Sequence, residues 1–310
     1  MTNYYFLGIG GIGMSAIARY FRQRGFEVGG YDRVCSHLCT ELQAEGIDIH
    51  YDDLGSDIDA KFKDPHRTVV VYTPAIPPEH KELCFFRENN FRVYKRAEIL
   101  GEITKSERGL CVAGTHGKTT ISSMIAHLLR QSSIDCNAFL GGISLNYNSN
   151  LLLSDRSDLV VIEADEYDRS FHRLSPYMAV VSSTDADHLD IYHTHEGYIE
   201  AFEHFCGLIK EGGTLIYKKG ITLSPHLQRN VKTYTYSASE DADFYAENIR
   251  IGNGKLLFDA VLLGKRIADL DLGVPVLVNV ENAIAAIAVA WLNGATADEL
   301  RAAIASYKGV

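Results

Sequence analysis

The sequence predicts an α/β protein of two domains, each laid out on a largely parallel sheet. Three observations carry this reading. From Tyr4 to Tyr94 short apolar runs alternate with stretches of helical period. After a short polar stretch at 105–108 the same alternation restarts. A glycine-rich turn follows the first strand of each series, and repeated strand–helix–strand order implies parallel pairing.

In chain order, Tyr4 to Leu7 reads as a strand, Gly8 to Gly13 as a turn and Met14 to Arg24 as a helix that Gly25 ends. Phe26 to Tyr31 is the next strand, Leu38 to Glu45 a helix and Ile47 to Tyr51 a strand. Thr68 to Thr73 is a buried strand stopped by Pro74, and Arg92 to Tyr94 closes the first series. The second series opens with a strand from Leu110 to Ala113, a loop at Gly114 and a helix from Thr119 to Gln131. Leu159 to Ile162 and Met178 to Val181 are apolar strands, and Glu196 to Lys210 is a helix. Thr214 to Leu272 reads as short strands with glycine turns, an antiparallel or mixed edge. Asn279 to Leu292 and Ala297 to Ser306 are helices. The expected domains are 1–105 and 106–310.

The chain has 310 residues and a formal net charge of -10. That balance disfavours non-specific binding to nucleic acid or anionic membranes, so neither is expected as a partner. Hydrophobic residues make up 46% and charged residues 23%, as in soluble globular proteins. No run approaches the length needed to cross a bilayer, and Met1 to Phe6 leads straight into a strand with no leader. Six scattered cysteines read as reduced thiols, which together point to the cytoplasm. Cys35, His37 and Cys39 lack the second ligand pair of a zinc site. Nothing in the sequence fixes an oligomeric state.

Gly114-Thr115-His116-Gly117-Lys118-Thr119-Thr120 has the chemistry of a phosphate loop. Backbone N–H groups cradle phosphates, Lys118 reaches the β- and γ-phosphates, and Thr119 holds Mg2+. The strict pattern wants glycine at 112, where this chain has Val112. The strand before and helix after the loop support a shortened variant, which makes the second domain of P-loop ATPase type. Its expected ligands are ATP and Mg2+. Such a loop needs an acidic residue at a neighbouring strand end, and Glu163 supplies it. Asp165, Glu166 and Asp168 follow closely. A solvated acidic loop accounts well for Glu166 and Asp168, less well for Glu163. A third cluster, Asp185, Asp187, His188 and Asp190, follows the next strand, and His188 is a candidate metal ligand.

Gly8-Ile9-Gly10-Gly11-Ile12-Gly13, with Asp32 ending the second strand, fits the dinucleotide fingerprint and makes the first domain Rossmann-like. The motif places a pyrophosphate on a helix N-terminus without choosing between NAD and a UDP-sugar. The downstream phosphate loop disfavours a dehydrogenase.

The order of these motifs, together with Thr73-Pro-Ala75-Ile76, Lys95-Arg-Ala-Glu-Ile-Leu100 and Asn279-Val-Glu-Asn282, resembles the Mur ligases, which build the peptide of bacterial cell-wall precursors. The resemblance covers nearly the whole chain and points to the member that adds L-alanine to UDP-N-acetylmuramate. It implies a UDP-sugar on Gly10, Gly11, Ile12 and Gly13, with Asp32, Thr73, Ala75 and Ile76 near the nucleotide. It implies MgATP on Gly114 to Thr120, with Asn279 and Asn282 facing the adenine. Thr119, Glu163 and His188 would hold metal, and Lys118, Glu163 and His188 would serve an acyl-phosphate reaction. Three features depart from the family. Val278 stands where relatives carry histidine. No lysine lies between Tyr192 and Lys210 for the carbamylation some sister ligases use. The chain stops at Val310, where a linker to a third, C-terminal domain is expected, so binding without complete catalysis is the expectation. Two other functions fit the same domains: a ligase that attaches a recycled tripeptide, and a non-catalytic UDP-sugar-binding protein.

Overall fold

The computed structural model describes residues 2–239 and 241–310. The chain divides between Leu100 and Gly101 into two compact units, ahead of the expected boundary at 105/106.

The first unit holds strands β1 (Asn3–Leu7), β2 (Glu27–Tyr31), β3 (Asp48–His50), β4 (Thr68–Tyr72) and β5 (Arg92–Lys95). They form one five-stranded sheet in the order β3-β2-β1-β4-β5. Every pairing is parallel. The order reverses between β1 and β4, and ligands of open α/β sheets bind outside the carboxyl ends of strands at such a switch. Helices α1 (Ile12–Gln23), α2 (His37–Ala44) and α3 (Lys81–Glu88) complete it, and the division falls within α4 (Arg96–Ser106). Tyr5, Leu7, Phe62, Val70, Leu83 and Phe86 form a buried core on one face of the sheet.

The second unit contains β6 (Arg108–Ala113), α5 (Lys118–Arg130), β7 (Asn137–Ser144), β8 (Ser149–Leu152), β9 (Leu159–Glu163) and β10 (Met178–Val181). Then come α6 (Leu189–Tyr192), α7 (His195–Gly207), β11 (Thr214–Lys218), β12 (Lys232–Ser237), β13 (Phe244–Gly252), β14 (Lys255–Leu262), β15 (Lys265–Asp271), α8 (Val278–Leu292) and α9 (Ala297–Ser306). The strands form a ten-stranded sheet in the order β15-β14-β13-β12-β11-β10-β6-β9-β7-β8. Its centre is parallel, and β13, β14 and β15 make the antiparallel edge expected from the glycine turns.

Register builds the site. Val112 of β6 sits opposite Glu163 of β9, and Ala113 opposite Val181 of β10. The three strands therefore end together, and their following loops share one edge. Behind them α8 is buried from Ala283 through Ala290. Its alanines let it approach α5 closely, which fixes the helix that follows the phosphate loop.

Candidate functional site

The loop from Gly114 to Gly117 turns β6 into α5. Gly117 is the N-cap of α5 in the left-handed region, at φ 84°, with no side-chain cap. The helix therefore presents its first N–H groups outward, as an anion site requires. A methyl on Gly117 would lie 2.9 Å from Asn282 Oδ1, so this glycine serves both turn and packing. Gly114 abuts Ser182 in the same way.

The loop is held from the neighbouring strand end. Ser183 Oγ accepts the His116 N–H at 2.9 Å, and Ser182 Oγ donates to the His116 carbonyl. Thr115 Oγ1 donates to the Asp185 carbonyl at 2.8 Å and lies 3.0 Å from the Tyr198 hydroxyl. Thr115 thus sits within the frame, Thr120 is half-buried in the first turn of α5 with its carbonyl accepting from Ser123 Oγ at 2.9 Å, and the His116 ring is exposed, 3.8 Å from Asp185.

Lys118 Nζ donates to the Gly114 carbonyl at 2.8 Å and to Glu166 at 2.8 Å. Thr119 Oγ1 lies 2.9 and 3.0 Å from the two oxygens of Glu163. Burial pushes the Glu163 carboxyl above its ordinary range, while the Thr119 hydroxyl and the Lys118 charge pull it back. A cation at this carboxylate would remove the penalty of ionising it. Among the described residues no three His, Cys, Asp or Glu side chains gather as a metal shell. Mg2+ takes one or two protein oxygens and fills its remaining positions with phosphate and water, and the Thr119 hydroxyl beside the Glu163 carboxylate offers oxygens of that kind.

His188 meets the loop through Glu166. Its Nε2 lies 3.9 Å from Glu166 Oε1 and 3.9 Å from Asp187 Oδ2. Its backbone is left-handed, at φ 50°, and its ring stands edge-on to Tyr167 at 5.3 Å. The acidic run is thus divided by burial: Asp165 and Asp168 are exposed, whereas Glu166 is 1% exposed. Reading Glu166 as part of a solvated loop is corrected here. Asn282 Nδ2 donates to Asn279 Oδ1 at 3.2 Å, so the two asparagines expected at the adenine sit together at the start of α8.

In the first unit Gly11 is the N-cap of α1, again without a side-chain cap. The Gly10 N–H donates to Asp32 Oδ2 at 2.8 Å. That amide is engaged within the protein, and Gly10 acts by allowing close packing: a methyl there would run into Cys39, Asp32 and Ser36. Gly13 likewise gives room to the Arg96 guanidinium. Gly11 and the 48% exposed Ile12 line the open side of the turn. Thr73 and Ile76 pack beside Gly8, and Ala75 is exposed.

Sequence reasoning passed over Ser182, Ser183 and Tyr198, and gave no role to Tyr192, which ends the third cluster. Each is a hydroxyl that holds a loop distant in sequence, and no local pattern marks such a role.

A phosphate loop backed by a carboxylate at a parallel strand end defines a nucleotide-dependent P-loop enzyme. Two family models match this chain, "Mur ligase family, catalytic domain" over residues 3–108 and "Mur ligase middle domain" over 112–290. The chain belongs to the Mur ligase family of ATP-dependent ligases. A UDP-N-acetylmuramate–L-alanine ligase of Parabacteroides distasonis is 61% identical over the whole chain, which covers 67% of that relative. One from Porphyromonas gingivalis is 57% identical, with 68% of it covered. The chain thus spans about two thirds of these relatives. Among solved structures, the UDP-N-acetylmuramate–alanine ligase of Thermotoga maritima is similar over the whole chain and 69% of its own, with a TM-score of 0.79 at 27% identity. The tripeptide ligase of Neisseria meningitides shares the fold over 99% of its chain, with a TM-score of 0.83 at 24% identity.

Proposed function

We propose that this chain carries the nucleotide and UDP-sugar sites of an enzyme that joins L-alanine to UDP-N-acetylmuramate at the expense of ATP. The observation that carries it is the side-by-side placement of Lys118 on Gly114 and Thr119 on Glu163 at one sheet edge. The names of relatives at 61% and 57% identity support the choice of substrates.

The chemistry demands such a site. A carboxylate is a poor acyl donor to an amine. An oxygen of the lactyl carboxylate attacks the γ-phosphorus and ADP leaves, giving an acyl phosphate. The amine of L-alanine then attacks the acyl carbon, loses a proton and expels phosphate. The first step brings two anions together, and Lys118 offsets their repulsion. Thr119 and Glu163 would hold Mg2+, which supplies further charge neutralisation when bound. His188, 3.9 Å from Glu166, would help to hold a second cation, which would add charge neutralisation near the acyl phosphate. Asn279 and Asn282 would meet the adenine, and the open side of the Gly11 turn would meet the UDP pyrophosphate.

No helix is long and apolar enough to cross a membrane among the described residues. We place the enzyme in the cytoplasm, with its ATP.

Separate calorimetric titrations test this reading. UDP-N-acetylmuramate and MgATP are each expected to bind, and NAD is expected not to. In a protein spanning the relatives' full length, phosphate release should follow L-alanine and not the tripeptide. Failure of MgATP to bind would remove the nucleotide half of the proposal.

A further inference from the structure

Glu166 is a carboxylate taken almost wholly out of water, at 1% exposure. Such burial is costly without a counter-charge. Lys118 Nζ provides one, 2.8 Å from Oε1 and 2.8 Å from Oε2. Oε2 is buried and receives no hydrogen bond. The backbone that sets this carboxylate is itself fixed. The Tyr192 hydroxyl and the Arg169 N–H both donate to the Glu166 carbonyl. Asp168 and Arg169, which follow, are left-handed at φ 52° and 54°. Non-glycine residues hold that conformation only where their surroundings impose it.

The Lys118 ammonium is the group a phosphate loop offers to the β- and γ-phosphates. In this structure a protein carboxylate already has it. We propose that Glu166 is a positioning residue that competes with the nucleotide. It holds the Lys118 side chain against Gly114, and a phosphate that reaches Lys118 must displace it. A phosphate that approaches Lys118 beside this buried carboxylate meets like-charge repulsion and shares the ammonium's field with it, so the pair lowers nucleotide affinity and confines Lys118 until the displacement occurs. The freed carboxylate has His188 beside it, 3.9 Å from Oε1. This inference rests on the phosphate-loop reading of Gly114 to Thr120.

A metal ligand and a purely structural residue would behave differently from a competitor. Removing either of those weakens nucleotide binding or leaves it alone, whereas removing a competitor strengthens it. The experiment is a calorimetric titration of the chain with ATP and with ADP, Mg2+ present and no acceptor added, so that binding and not turnover is read. Glu166→Gln keeps the shape and loses the charge. Its ATP affinity should rise at least about fivefold, the low end of coupling between interacting sites, with a smaller gain for ADP. Glu166→Asp, whose shorter carboxylate falls away from Lys118, should shift in the same direction. Unchanged or weaker ATP binding by either variant, folded by circular dichroism, overturns the proposal. So does failure of both variants to fold, which would make the residue structural. If wild-type protein binds no ATP, the phosphate-loop reading falls as well, which distinguishes the two failures.

Discussion

Glu82 has no exposed surface, yet it is a carboxylate. The Tyr5 hydroxyl lies 2.8 Å from Glu82 Oε2 and 2.6 Å from His50 Nε2. One hydroxyl proton serves only one of them. His50 Nδ1 lies 2.8 Å from the Asp52 carbonyl, which can only accept. Nδ1 therefore carries a proton. Burial pushes the His50 pKa down and favours the neutral ring, so Nε2 is an acceptor and takes the Tyr5 proton. The remaining contact then calls for a proton on Glu82. Burial pushes this carboxyl up from 4.5 to about 7, in agreement with that network. The consequence for stability has a definite sign. Between about pH 4.5 and 7 the native protein keeps a proton that the unfolded chain has lost, so stability falls as pH rises through this window. The loss is about 3 kcal/mol. Glu82→Gln keeps a neutral donor toward the Tyr5 oxygen, its side-chain amide in place of the carboxyl proton. Its stability relative to wild type should improve by up to about 3 kcal/mol between pH 4.5 and 8, read from urea unfolding at each pH. His50, with a lowered pKa, has the opposite dependence: it contributes above 6.5 and loses that contribution as pH falls. Its Nε2 lies 3.5 Å from Glu82 Oε1, so the two groups titrate as a pair and the difference between the proteins reads the pair. A difference independent of pH would show that Glu82 is ionised in the native state at pH 5.

At the scale of elements, the phosphate turn is where sequence and structure agree most closely. Gly117→Ala tests it. The methyl would face Asn282 Oδ1 at 2.9 Å, and the residue would hold φ 84°. The strain is about 2 kcal/mol, and displacement of the loop should weaken MgATP binding roughly tenfold. Adding Asn282→Ala relieves the contact and not the dihedral, so thermal melting should recover only in part. Full recovery would mean that packing alone selects glycine here. The turn was legible because its signal is local: a strand, two glycines, a lysine and a helix in unbroken order. The strand from Met178 to Val181 and the helix from Ala297 to Ser306 appear at the bounds their patterns give. Other elements were not legible. Helices α3 and α4 bury Leu83 with Phe86, and Ile99 and Leu100 with Ile103, at helical spacing, but each apolar stripe is short and set among charged residues. Glu166 was obscured for another reason. Asp165, Glu166 and Asp168 look alike in sequence, and only the fold shows that Glu166 is the buried one, paired with Lys118. His188 stood out in the sequence as a candidate, but its link to Lys118 through Glu166 did not.

Across the whole molecule, each proposed ligand site is built within one compact unit. The glycine turn at Gly8 to Gly13 is held by Asp32, Cys39, Thr73 and Arg96, all from the first unit. The turn at Gly114 to Thr120 is held by Glu163, Glu166, Ser182, Ser183 and Asn282, all from the second. Damage to either turn should therefore stay local. Gly10→Ala would drive a methyl into Cys39 and bring it 3.0 Å from Asp32 Oδ2 and from Ser36 Oγ. The loop must move by a sizeable fraction of an ångström, and UDP-N-acetylmuramate affinity should fall tenfold or more, since ~1 Å misplacements carry costs up to about 100-fold. MgATP affinity should stay within about twofold of wild type, as for changes at residues with no shared partner. Lys118→Met should give the reverse pattern, with MgATP binding lost and the UDP-sugar unaffected. The second-site change Cys39→Ala should restore part of the Gly10→Ala loss, because it removes the atom that the new methyl meets first. Calorimetry with each ligand on each variant reads all of these. If Gly10→Ala weakened both ligands equally, the turns would not be separate sites, and the assignment of one ligand to each unit would have to be given up.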